Sequence, residues 1–599
     1  MNFFKTIMAS MIGTIIAFFI AGFLFFLLIV VMIASGGNDD SPIVKSNSVL
    51  KLELNQAITE RVGDNDRVFN PATFSSEGKL GLNRIVDDLK RAKTDDKIKG
   101  LYIEVGAFGA APSTILDIRN AVLDFKESGK WVVAYGENYT QGGYYIASAA
   151  DEVYMYPTGN FDWRGLHTEL MFFKNMLEKL EIDAQVIRGP NNKFKSAVEP
   201  YMYDHMSDAN REQIATFVGD IWNVMLDGIS TSRNVSKERL NFAADSLTYR
   251  DVEVAVNDGL LDGLWYPDQV MKSMEEKLGL NNATESTEEE KDDKKEINFI
   301  TLSDYHEKPD SKKGDSSIAI VYAVGAIESG EGDDETIGSD RIAKALKDAR
   351  ENKDVKAIVF RVSSPGGSAL ASDVIWRETE LIKQSGKPLI VSMGDYAASG
   401  GYYISCSADR IFANPNTITG SIGVFGVIPN FQKFLNNKIG ITMDTYKTNA
   451  HADLISVTKP LDEFEMETMQ DIITDIYDDF TSKVAKGRNM TQAAVDSIGQ
   501  GRVWSGEDAL QIGLVDELGD LDAAIAYAAQ QAGLETYNTI GYPKIEDPFQ
   551  KLVEDITGQK REAVMKEILG EEFRFYQEFQ NIRNIRGPQA RMPFSLEIK

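Results

Sequence analysis

The 599-residue sequence predicts an α/β protein with two tandem copies of one domain, each a mostly parallel, helix-covered sheet, plus one N-terminal transmembrane helix. Three observations lead to this prediction: an internal repeat, alternating strand-like and helix-like segments, and a long uncharged stretch near the N-terminus. A chain of this length has room for two or more domains that each bury their own core.

The internal repeat is clearest in a glycine–aromatic segment that occurs twice. Residues 399–405 read Ser-Gly-Gly-Tyr-Tyr-Ile-Ser, and residues 141–147 read Gln-Gly-Gly-Tyr-Tyr-Ile-Ala. Collinear matches continue upstream and downstream, so the repeated unit far exceeds the roughly 20–50 residues of solenoid repeats. We therefore predict a duplicated domain whose copies differ where a nucleophile would lie: Ser399 in the second and Gln141 in the first.

Strand-like and helix-like segments alternate within each half. In the second half, residues 317–323, 357–362 and 388–393 have the apolar composition of buried strands, and residues 339–352 have apolar positions at helical spacing. This alternation indicates a mostly parallel sheet covered by helices. Residues 464–484 interrupt it with the pattern of one long amphipathic helix.

The segment from Ile7 to Ile33 predicts a membrane anchor. It holds about 27 uncharged, mostly apolar residues, which is enough for a spanning helix of roughly 20. A cleavable signal peptide has an apolar region of only about 7–15 residues, so we expect the anchor to stay attached. Lys5 precedes the segment, and the positive-inside rule then leaves the N-terminus in the cytoplasm and the bulk of the chain on the other side of the membrane.

Composition excludes several classes of function. The net charge of −28 argues against nucleic acid as a partner, because phosphate binding needs clustered lysines and arginines. The single cysteine, Cys406, permits no internal disulfide, and no Cys/His cluster has the spacing of a zinc site. We predict neither a metal nor a cofactor.

These patterns divide the chain into five parts: an anchor (1–40), a first repeat (41–280), a charged linker (281–316), a second repeat (317–541) and a C-terminal tail (542–599). The linker has too few apolar residues to order itself. The tail has an amphipathic helical face, which favours packing on the body or on a neighbouring subunit over membrane binding: Val564, Ile568, Leu569, Phe573 and Tyr576.

Ser399 is the candidate nucleophile. A serine at the end of a strand and the start of a helix has backbone N–H groups and the positive end of the helix dipole beside it. Gly400 and Gly401 leave space for a substrate carbonyl, and the loop 363–367 after the preceding strand could supply a second oxyanion donor. The Ser-Gly-Gly segment alone would favour close helix–sheet packing. However, the first copy lacks both the serine and one glycine of the equivalent loop, 107–110, and this joint loss favours catalysis.

A serine hydroxyl needs a base to act as a nucleophile at neutral pH. His451 is the only histidine in the half that carries Ser399, which keeps a Ser-His-Asp triad open. Lys195 is the alternative, and its pKa would have to fall from about 10.4 to near 7 through burial. In the repeat alignment Lys195 meets Ile455, so a distinctive lysine lies in one half and the serine in the other.

Four motifs together resemble the bacterial signal peptide peptidase A family in its double-length form. They are Phe-Lys-Ser-Ala-Val-Glu-Pro at 194–200, Ser-Pro-Gly-Gly-Ser at 364–368, Ala-Ala-Ser-Gly-Gly-Tyr-Tyr at 397–403 and Gly-Ser-Ile-Gly-Val-Phe-Gly at 420–426. The resemblance implies a Ser/Lys-dyad protease of the fold shared with Clp protease and crotonases. It also implies a homotetramer that faces the membrane and degrades signal peptides left after secretion.

By motif match, the resemblance makes Ser399 the nucleophile, Lys195 the base, and Gly366, Gly367 and Gly400 the oxyanion donors. We expect extended peptides to bind as an added strand beside the glycine-rich loops. Two other functions stay open: a crotonase-like acyl-thioester enzyme, which would use the same oxyanion hole without a serine, and a non-catalytic membrane scaffold.

Overall fold

The computed structural model describes residues 44–63, 67–70, 75–78, 80–280, 296–306, 314–545 and 589–591, with scattered positions between 13 and 22. Most of the predicted anchor from Ile7 to Ile33, and the predicted helical face from Val564 to Tyr576, lie outside these residues. Within the described part of the chain, no helix is long and apolar enough to span a membrane.

The strands are numbered in chain order through the described residues. They are β1 Ser48–Leu54, β2 Ile58–Thr59, β3 Arg67–Asn70, β4 Ser75–Gly78, β5 Leu80–Gly81, β6 Ile98–Val105, β7 Trp131–Gly136, β8 Glu152–Met155, β9 Asp183–Arg188, β10 Gly263–Leu264, β11 Asn298–Thr301, β12 Ser317–Val324, β13 Ala326–Glu328, β14 Thr336–Gly338, β15 Val355–Ser364, β16 Gly366–Ser368, β17 Leu389–Ala398, β18 Arg410–Ala413, β19 Ile418–Gly420, β20 Phe425–Asn430, β21 Val503–Ser505, β22 Glu517–Leu518, β23 Asn538–Tyr542 and β24 Gln589–Arg591.

The α-helices of the same residues cover the sheets. They span Leu82–Thr94, Pro112–Lys126, Gln141–Ala147, Lys174–Leu180, Glu199–Met202, Asp208–Arg233, Lys237–Asp245, Val252–Asn257, Pro267–Lys277, Leu302–Tyr305, Ser339–Glu351, Ala369–Ser385, Gly400–Ser405, Glu463–Gly487, Gln492–Ile498, Gly506–Gln511 and Leu521–Gln531. Short 3₁₀ turns lie at Ser196–Val198 and Thr248–Arg250, and a π-helical turn lies at Phe434–Ile439.

Each repeat is built on its own main sheet. The first sheet has the order β10-β8-β7-β6-β1-β11, and all of its pairs are parallel. The second has the order β21-β19-β17-β15-β12-β23, with β18 paired to β17 and β22 paired to β18, and only the β19–β21 pair is antiparallel. The order β7-β6-β1 recurs as β17-β15-β12, so the two sheets have the duplicated, mostly parallel architecture that the sequence predicts.

The central strands are continuous apolar runs because both faces of each sheet are covered. In β15, Ile358 and Phe360 point into the core of the second repeat, whereas Ala357 and Val359 pack on the opposite face beneath the helix Leu521–Gln531. The period-2 alternation of a strand therefore serves two apolar layers instead of one apolar and one solvated face.

The long amphipathic helix predicted at 464–484 is Glu463–Gly487. It begins with a capping box: the Asp462 carboxylate accepts from the amide of Glu465 at 2.8 Å, and the Glu465 carboxylate accepts from the amide of Asp462 at 3.1 Å. Ile472 is exposed, and the apolar residues of the buried side are Met469, Ile473, Tyr477, Phe480 and Val484.

A third sheet combines strands from both repeats. Its order is β14-β13-β16-β24-β20-β9, in which β9 comes from the first repeat and pairs antiparallel with β20 of the second. Strand β24, from the C-terminal tail, lies between β16 and β20. This sheet joins the repeats next to the segment that carries Ser399.

Buried polar contacts also hold the repeats together. Arg361 on β15 contacts Glu60 at 2.7 Å and Asp117 at 3.3 Å, both from the first repeat. The amide of Asn414 donates to the same Asp117 carboxylate at 2.6 Å. The amide nitrogen of Thr114 donates to Asp395 at 2.8 Å. The helix Pro112–Lys126 is therefore fixed against β15 and β17, whose C-terminal end leads to Ser399.

Part of the segment predicted as a linker is ordered, which differs from the expectation based on its composition. Strand β11 pairs in parallel with β1 at the edge of the first sheet, and a short helix follows it. Ile300, Leu302 and Tyr305 are buried in the first core. These three apolar residues suffice because the edge of β1 offers a ready row of hydrogen-bonding partners.

Candidate active site

Ser399 lies in a strained turn between a strand and a helix. Strand β17 runs to Ala398, beyond the predicted end at residue 393, and the helix begins at Gly400. Ser399 alone joins them, with φ 56° and ψ −114°. Such a conformation costs a non-glycine residue about 1–3 kcal/mol and persists where the surrounding structure enforces it, typically at functional sites. Here the amide of Ser399 donates to the carbonyl of Gly420 at 2.8 Å.

The two glycines after Ser399 are required by close packing. A Cβ on Gly401 would lie 2.6 Å from the carbonyl oxygen of Ser364, and a Cβ on Gly400 would lie 2.7 Å from Oγ of Ser372. Both distances are too short for a real side chain. The helix N-terminus can therefore approach the loop after β15 only if both positions are glycine.

Lys195 is in direct contact with the serine, although it comes from the other repeat. Its Nζ lies 2.9 Å from Oγ of Ser399, and the side chain is 1% exposed. Burial lowers the pKa of Lys195 well below its ordinary value. A lysine in this setting favours its neutral form, whose lone pair can accept the serine proton.

The lysine is held by backbone from the second repeat. A Cβ on Gly501 would lie 2.5 Å from Cβ of Lys195, and a Cβ on Gly423 would lie 3.2 Å from its Cδ. On the first-repeat side, the amide of Gln213 donates to the carbonyl of Phe194 at 3.1 Å and fixes the turn before the lysine. Glycine at 423 and 501 thus makes the channel that the aliphatic stem fills.

Ser421 is a site residue to which the sequence analysis assigned no function. Its Oγ lies 3.0 Å from Nζ of Lys195, and its carbonyl oxygen lies 3.1 Å from the same nitrogen. A neutral amine has two N–H donors and one lone pair. If the two donors are directed at Ser421, the lone pair faces Ser399. The position of Ser421 directly after Gly420, in the motif at 420–426, was the available signal in the sequence.

The glycine loop after β15 lies directly beside the start of the Ser399 helix. A Cβ on Gly366, whose φ is 97°, would lie 2.8 Å from the amide nitrogen of Gly400 and would also collide with the carbonyl oxygen of Ala590. The amide of Gly366 itself donates to Oγ of Ser364 at 3.1 Å, and Gly367 is held in β16. Gly366 and Gly400 therefore lie next to each other beside Ser399. That the amides of Gly366, Gly367 and Gly400 donate to an oxyanion stays a prediction.

The equivalent position in the first repeat is filled and unstrained. The helix Gln141–Ala147 is capped by Thr140, which has an ordinary φ of −75°. The buried Gln141 side chain accepts from the amides of Arg164 and Gly165 at 3.1 and 2.9 Å and donates to the Gly165 carbonyl at 3.0 Å. At the position where the second repeat has its nucleophile, the first repeat therefore has a side chain that anchors the loop at Arg164–Gly165.

His451, the alternative base, does not contact Ser399. Its Nδ1 lies 3.2 Å from a carboxylate oxygen of Glu465. Among the described residues, His451, Asp462 and Glu465 form the one group with the proximity of metal ligands. Nζ of Lys459 already donates to the two carboxylate oxygens of Glu465 at 2.7 and 2.8 Å. Together with other hydrogen bonds, this contact holds the pKa of the Glu465 carboxylate below its ordinary value. We therefore assign no metal to this group.

The first repeat supplies a buried lysine and the second a serine that contacts it. This arrangement is that of a serine hydrolase. The chain belongs to peptidase family S49, whose family model matches residues 124–281 and 382–535. The two matched regions fall in the two repeats, and the protein is thus a serine peptidase of double-length form. The first region contains Gln141 and Lys195, and the second contains Ser399 and Ser421.

Relatives that match most of the chain support the same assignment. The chain is 38% identical over 487 residues to Protease 4 of Salmonella typhi, covering 80% of this chain and 76% of that protein. It is 38% identical over 464 residues to Protease 4 of Haemophilus influenzae, covering 76% and 73%. It is 32% identical over 527 residues to the chloroplastic serine protease SPPA of Arabidopsis thaliana, covering 86% and 74%.

Proposed function

We propose that this chain is a membrane-anchored endopeptidase in which Ser399 is the nucleophile and Lys195 the general base. Its proposed substrates are signal peptides left after secretion and similar membrane-proximal peptides. The observation that carries the proposal is the 2.9 Å contact between Nζ and Oγ in a buried setting. Membership of a peptidase family, with two relatives called Protease 4, supports the reaction class.

The chemistry follows from the positions of the two side chains. Neutral Lys195 takes the proton of the Ser399 hydroxyl as Oγ attacks the peptide carbonyl, and it then gives that proton to the leaving amine. Lys195 next activates a water molecule that hydrolyses the acyl-enzyme. Ser421 keeps Nζ oriented throughout, because it binds the two N–H groups that do not take part.

The oxyanion of the tetrahedral intermediate needs N–H donors beside Ser399. The Gly400 amide is at the N-terminus of its helix, where the dipole also favours negative charge. The Gly366–Gly367 loop is adjacent to that amide, and Gly366 must release Ser364 if its own N–H is to serve as a donor.

Substrate binding as an added strand suits this site. Strands β16 and β20 flank a slot beside the Ser399 helix, and backbone pairing in that slot requires little side-chain specificity. Processed signal peptides are extended, apolar and close to the membrane. An anchor at Ile7–Ile33, an inner-membrane location with the body in the periplasm, and a homotetramer facing the bilayer complete the proposal.

Neither competing function needs the contact between Ser399 and Lys195. An acyl-thioester enzyme of similar fold needs an oxyanion hole but neither the serine nor the lysine. A scaffold gains nothing from a buried lysine, whose desolvation opposes folding. The serine–lysine contact therefore favours the endopeptidase.

A peptide-library digest with detergent-solubilised full-length protein tests this function. Ser399→Ala and Lys195→Ala should abolish cleavage, and Gln141→Ala should leave it near the wild-type rate. The cleavage-site preference follows from the sites that wild type and Gln141→Ala both cut and that Ser399→Ala and Lys195→Ala do not cut. Equal digestion by wild type and Ser399→Ala would refute the proposed mechanism.

A further inference from the structure

A cavity of about 550 Å³ lies between the two repeats. Its walls come from the helices Leu82–Thr94 and Pro112–Lys126 of the first repeat, and from β12, β23 and the helix Leu521–Gln531 of the second. A volume of roughly 300–1,000 Å³ at a domain interface is typical of small-molecule sites. Neither Ser399 nor Lys195 lines the cavity, so the proposed catalysis does not account for it.

Both repeats contribute carboxylates to the lining of this cavity. Among the described residues that line it, Lys90 is the one cation, and its Nζ contacts the carboxylate of Asp522. Like charges that two domains bring to a shared cavity repel each other unless cations lie between them. The six lining carboxylates are Glu60, Asp87, Asp117 and Asp124 of the first repeat and Asp520 and Asp522 of the second.

Neighbouring cations compensate only part of this charge. Four cations contact residues of the lining within the described chain, and they face six carboxylates, which leaves an excess of two negative charges. A ligand that balances this excess needs at least two positive charges. The four cations are Arg61, Lys90, Lys93 and Arg361.

Glu60 has a buried oxygen without a partner. The side chain is 5% exposed, and its Oε1 accepts from Nε of Arg361 at 2.7 Å. Oε2 is buried as well and has no hydrogen-bond partner among the described residues. A buried acceptor without a donor costs about 1–3 kcal/mol, and more when it is charged. The Glu60 carboxylate can therefore accept one more hydrogen bond from a ligand.

Asp117, the other deeply buried carboxylate of the lining, is also short of positive charge. Arg361 and the amide of Asn414 both contact it. Nevertheless burial, together with the negative charges of Asp520 and Glu60, raises the pKa of Asp117 to about 7. A further cation at this end of the cavity would therefore be attracted by both buried carboxylates.

The spacing of the carboxylates suits an extended cation better than a metal ion. Ca²⁺ and Mg²⁺ gather several oxygen ligands around one point. Within the described chain, no three of the six carboxylates bring their oxygens within 4.8 Å of one another. Apolar side chains complete the lining and can pack against methylene groups: Leu82, Val86, Ile320, Leu521 and Ile525.

We propose that this cavity binds an aliphatic polyamine, whose ammonium groups pair with carboxylates of both repeats. One ammonium group donates to Oε2 of Glu60, and a second lies between Asp87 and Asp520. The methylene groups pack against the apolar part of the lining. Because both repeats bind the same molecule, its occupancy stabilises their association. This inference goes beyond the proposed function and does not depend on it.

Isothermal titration calorimetry of spermidine into the detergent-solubilised full chain tests this site, in buffers of matched ionic strength. Wild type should bind spermidine saturably. The monoamine n-butylamine should bind roughly tenfold more weakly or worse, because it can pair with only one carboxylate at a time. Mg²⁺ should show no saturable binding. The midpoint of thermal unfolding should rise with spermidine concentration, because the ligand binds the folded state.

Three variants locate the binding. The double variant Glu60→Gln, Asp87→Asn should raise the Kd for spermidine roughly tenfold or more. Val86→Trp keeps every charge but fills part of the cavity, and it should weaken binding to a similar degree. Asp444→Asn removes an exposed carboxylate outside the lining and should bind as wild type does. Thermal unfolding without ligand verifies that each variant folds.

The other results would overturn the proposal. Equal Kd values for Asp444→Asn and the double variant would mean that spermidine binds the acidic surface at large. Unchanged binding in Val86→Trp would place the ligand outside the cavity. Saturable Mg²⁺ binding that the double variant loses would replace the polyamine with a metal ion. None of these measurements uses peptide hydrolysis, so a failure here leaves the endopeptidase standing, and an inactive wild type that binds spermidine contradicts only the proposed function.

Discussion

Nζ of Lys195 lies 2.9 Å from Oγ of Ser399, and the two residues belong to different copies of a duplicated domain. The first copy has lost the nucleophile position to Gln141, and the second has no lysine at the position that aligns with Lys195. The duplication has therefore produced one composite site instead of two equivalent ones.

The pH dependence of catalysis should follow Lys195. The rate constant kcat/KM requires the neutral amine, so it should rise with pH through the pKa of this lysine in the free enzyme. Because burial lowers that pKa well below the ordinary 10.5, the plateau should be reached well below pH 10.5. A rate profile with a stable peptide substrate measures this. A limb that rises only near the ordinary lysine value would contradict the assignment.

Gln141 should matter for stability and not for catalysis. Gln141→Ala removes the three hydrogen bonds that this buried side chain makes to the loop at Arg164–Gly165. We expect a loss of about 1–3 kcal/mol in the free energy of unfolding. The kcat/KM should stay near wild type. In a Ser399→Ala background, Gln141→Ser should restore no hydrolysis, because the second repeat has Ile455 at the position that aligns with Lys195. Restored hydrolysis in that double variant would show that the first copy retains a site.

Gly401 should be irreplaceable, in contrast to a glycine in an open position. Gly401→Ala drives a methyl group to 2.6 Å from the Ser364 carbonyl, and relief of that overlap must move the Ser399 turn. Overpacking of this kind costs about 1–3 kcal/mol, and activity should fall by at least tenfold. Gly219→Ala is the control: its Cβ meets nothing within 4 Å, and alanine raises helix propensity by up to about 1 kcal/mol. Thermal unfolding and peptide hydrolysis of both variants measure the changes in stability and in activity.

The buried ion pairs of Arg361 should couple the repeats. Arg361→Met leaves the carboxylates of Glu60 and Asp117 buried without their cation. We expect a loss of about 3–5 kcal/mol in the free energy of unfolding. Activity should also fall, because the two ion pairs fix the first repeat against the strands that lead to Ser399. Arg410→Met removes a surface pair with Glu517 and should cost only about 0–1 kcal/mol. Equal effects of the two variants would argue against a structural coupling at Arg361.

Much of the fold was predictable because buried parallel strands are apolar runs bounded by helical patterns. Residues 317–323 and 357–362 became β12 and β15 with small shifts at their ends. Ser399 could be selected because the duplicated copy differs there. The repeat marked Lys195 as a lysine with no counterpart in the second half, and the motif at 194–200 then favoured it over His451.

The remaining features depend on tertiary contacts that leave little trace in the sequence. The positive φ of Ser399 is enforced by packing of β17, β19 and the following helix. Ser421 is one serine among many until Lys195 crosses from the other repeat to meet it. The segment Gln589–Arg591 has no apolar run of its own and is a strand only because β16 and β20 offer their edges. Strand β11 forms in the same way, because the edge of β1 offers it backbone hydrogen-bonding partners.

Labelling of Ser399 by a fluorophosphonate tests the central claim most directly, with the Lys195→Met variant as the comparison. Wild type should be modified at Ser399, as read by peptide mapping, and Lys195→Met should react on the order of 10²–10⁴-fold more slowly because the base is gone. Thermal unfolding distinguishes this from misfolding. Lys195 has a lowered pKa in the folded state, so at pH values below 10.5 the unfolded chain binds more protons at this group, and the lysine opposes folding. Lys195→Met should therefore be at least as stable as wild type at neutral pH. A stable Lys195→Met protein that labels at the wild-type rate, or a label on another serine, would contradict the composite site.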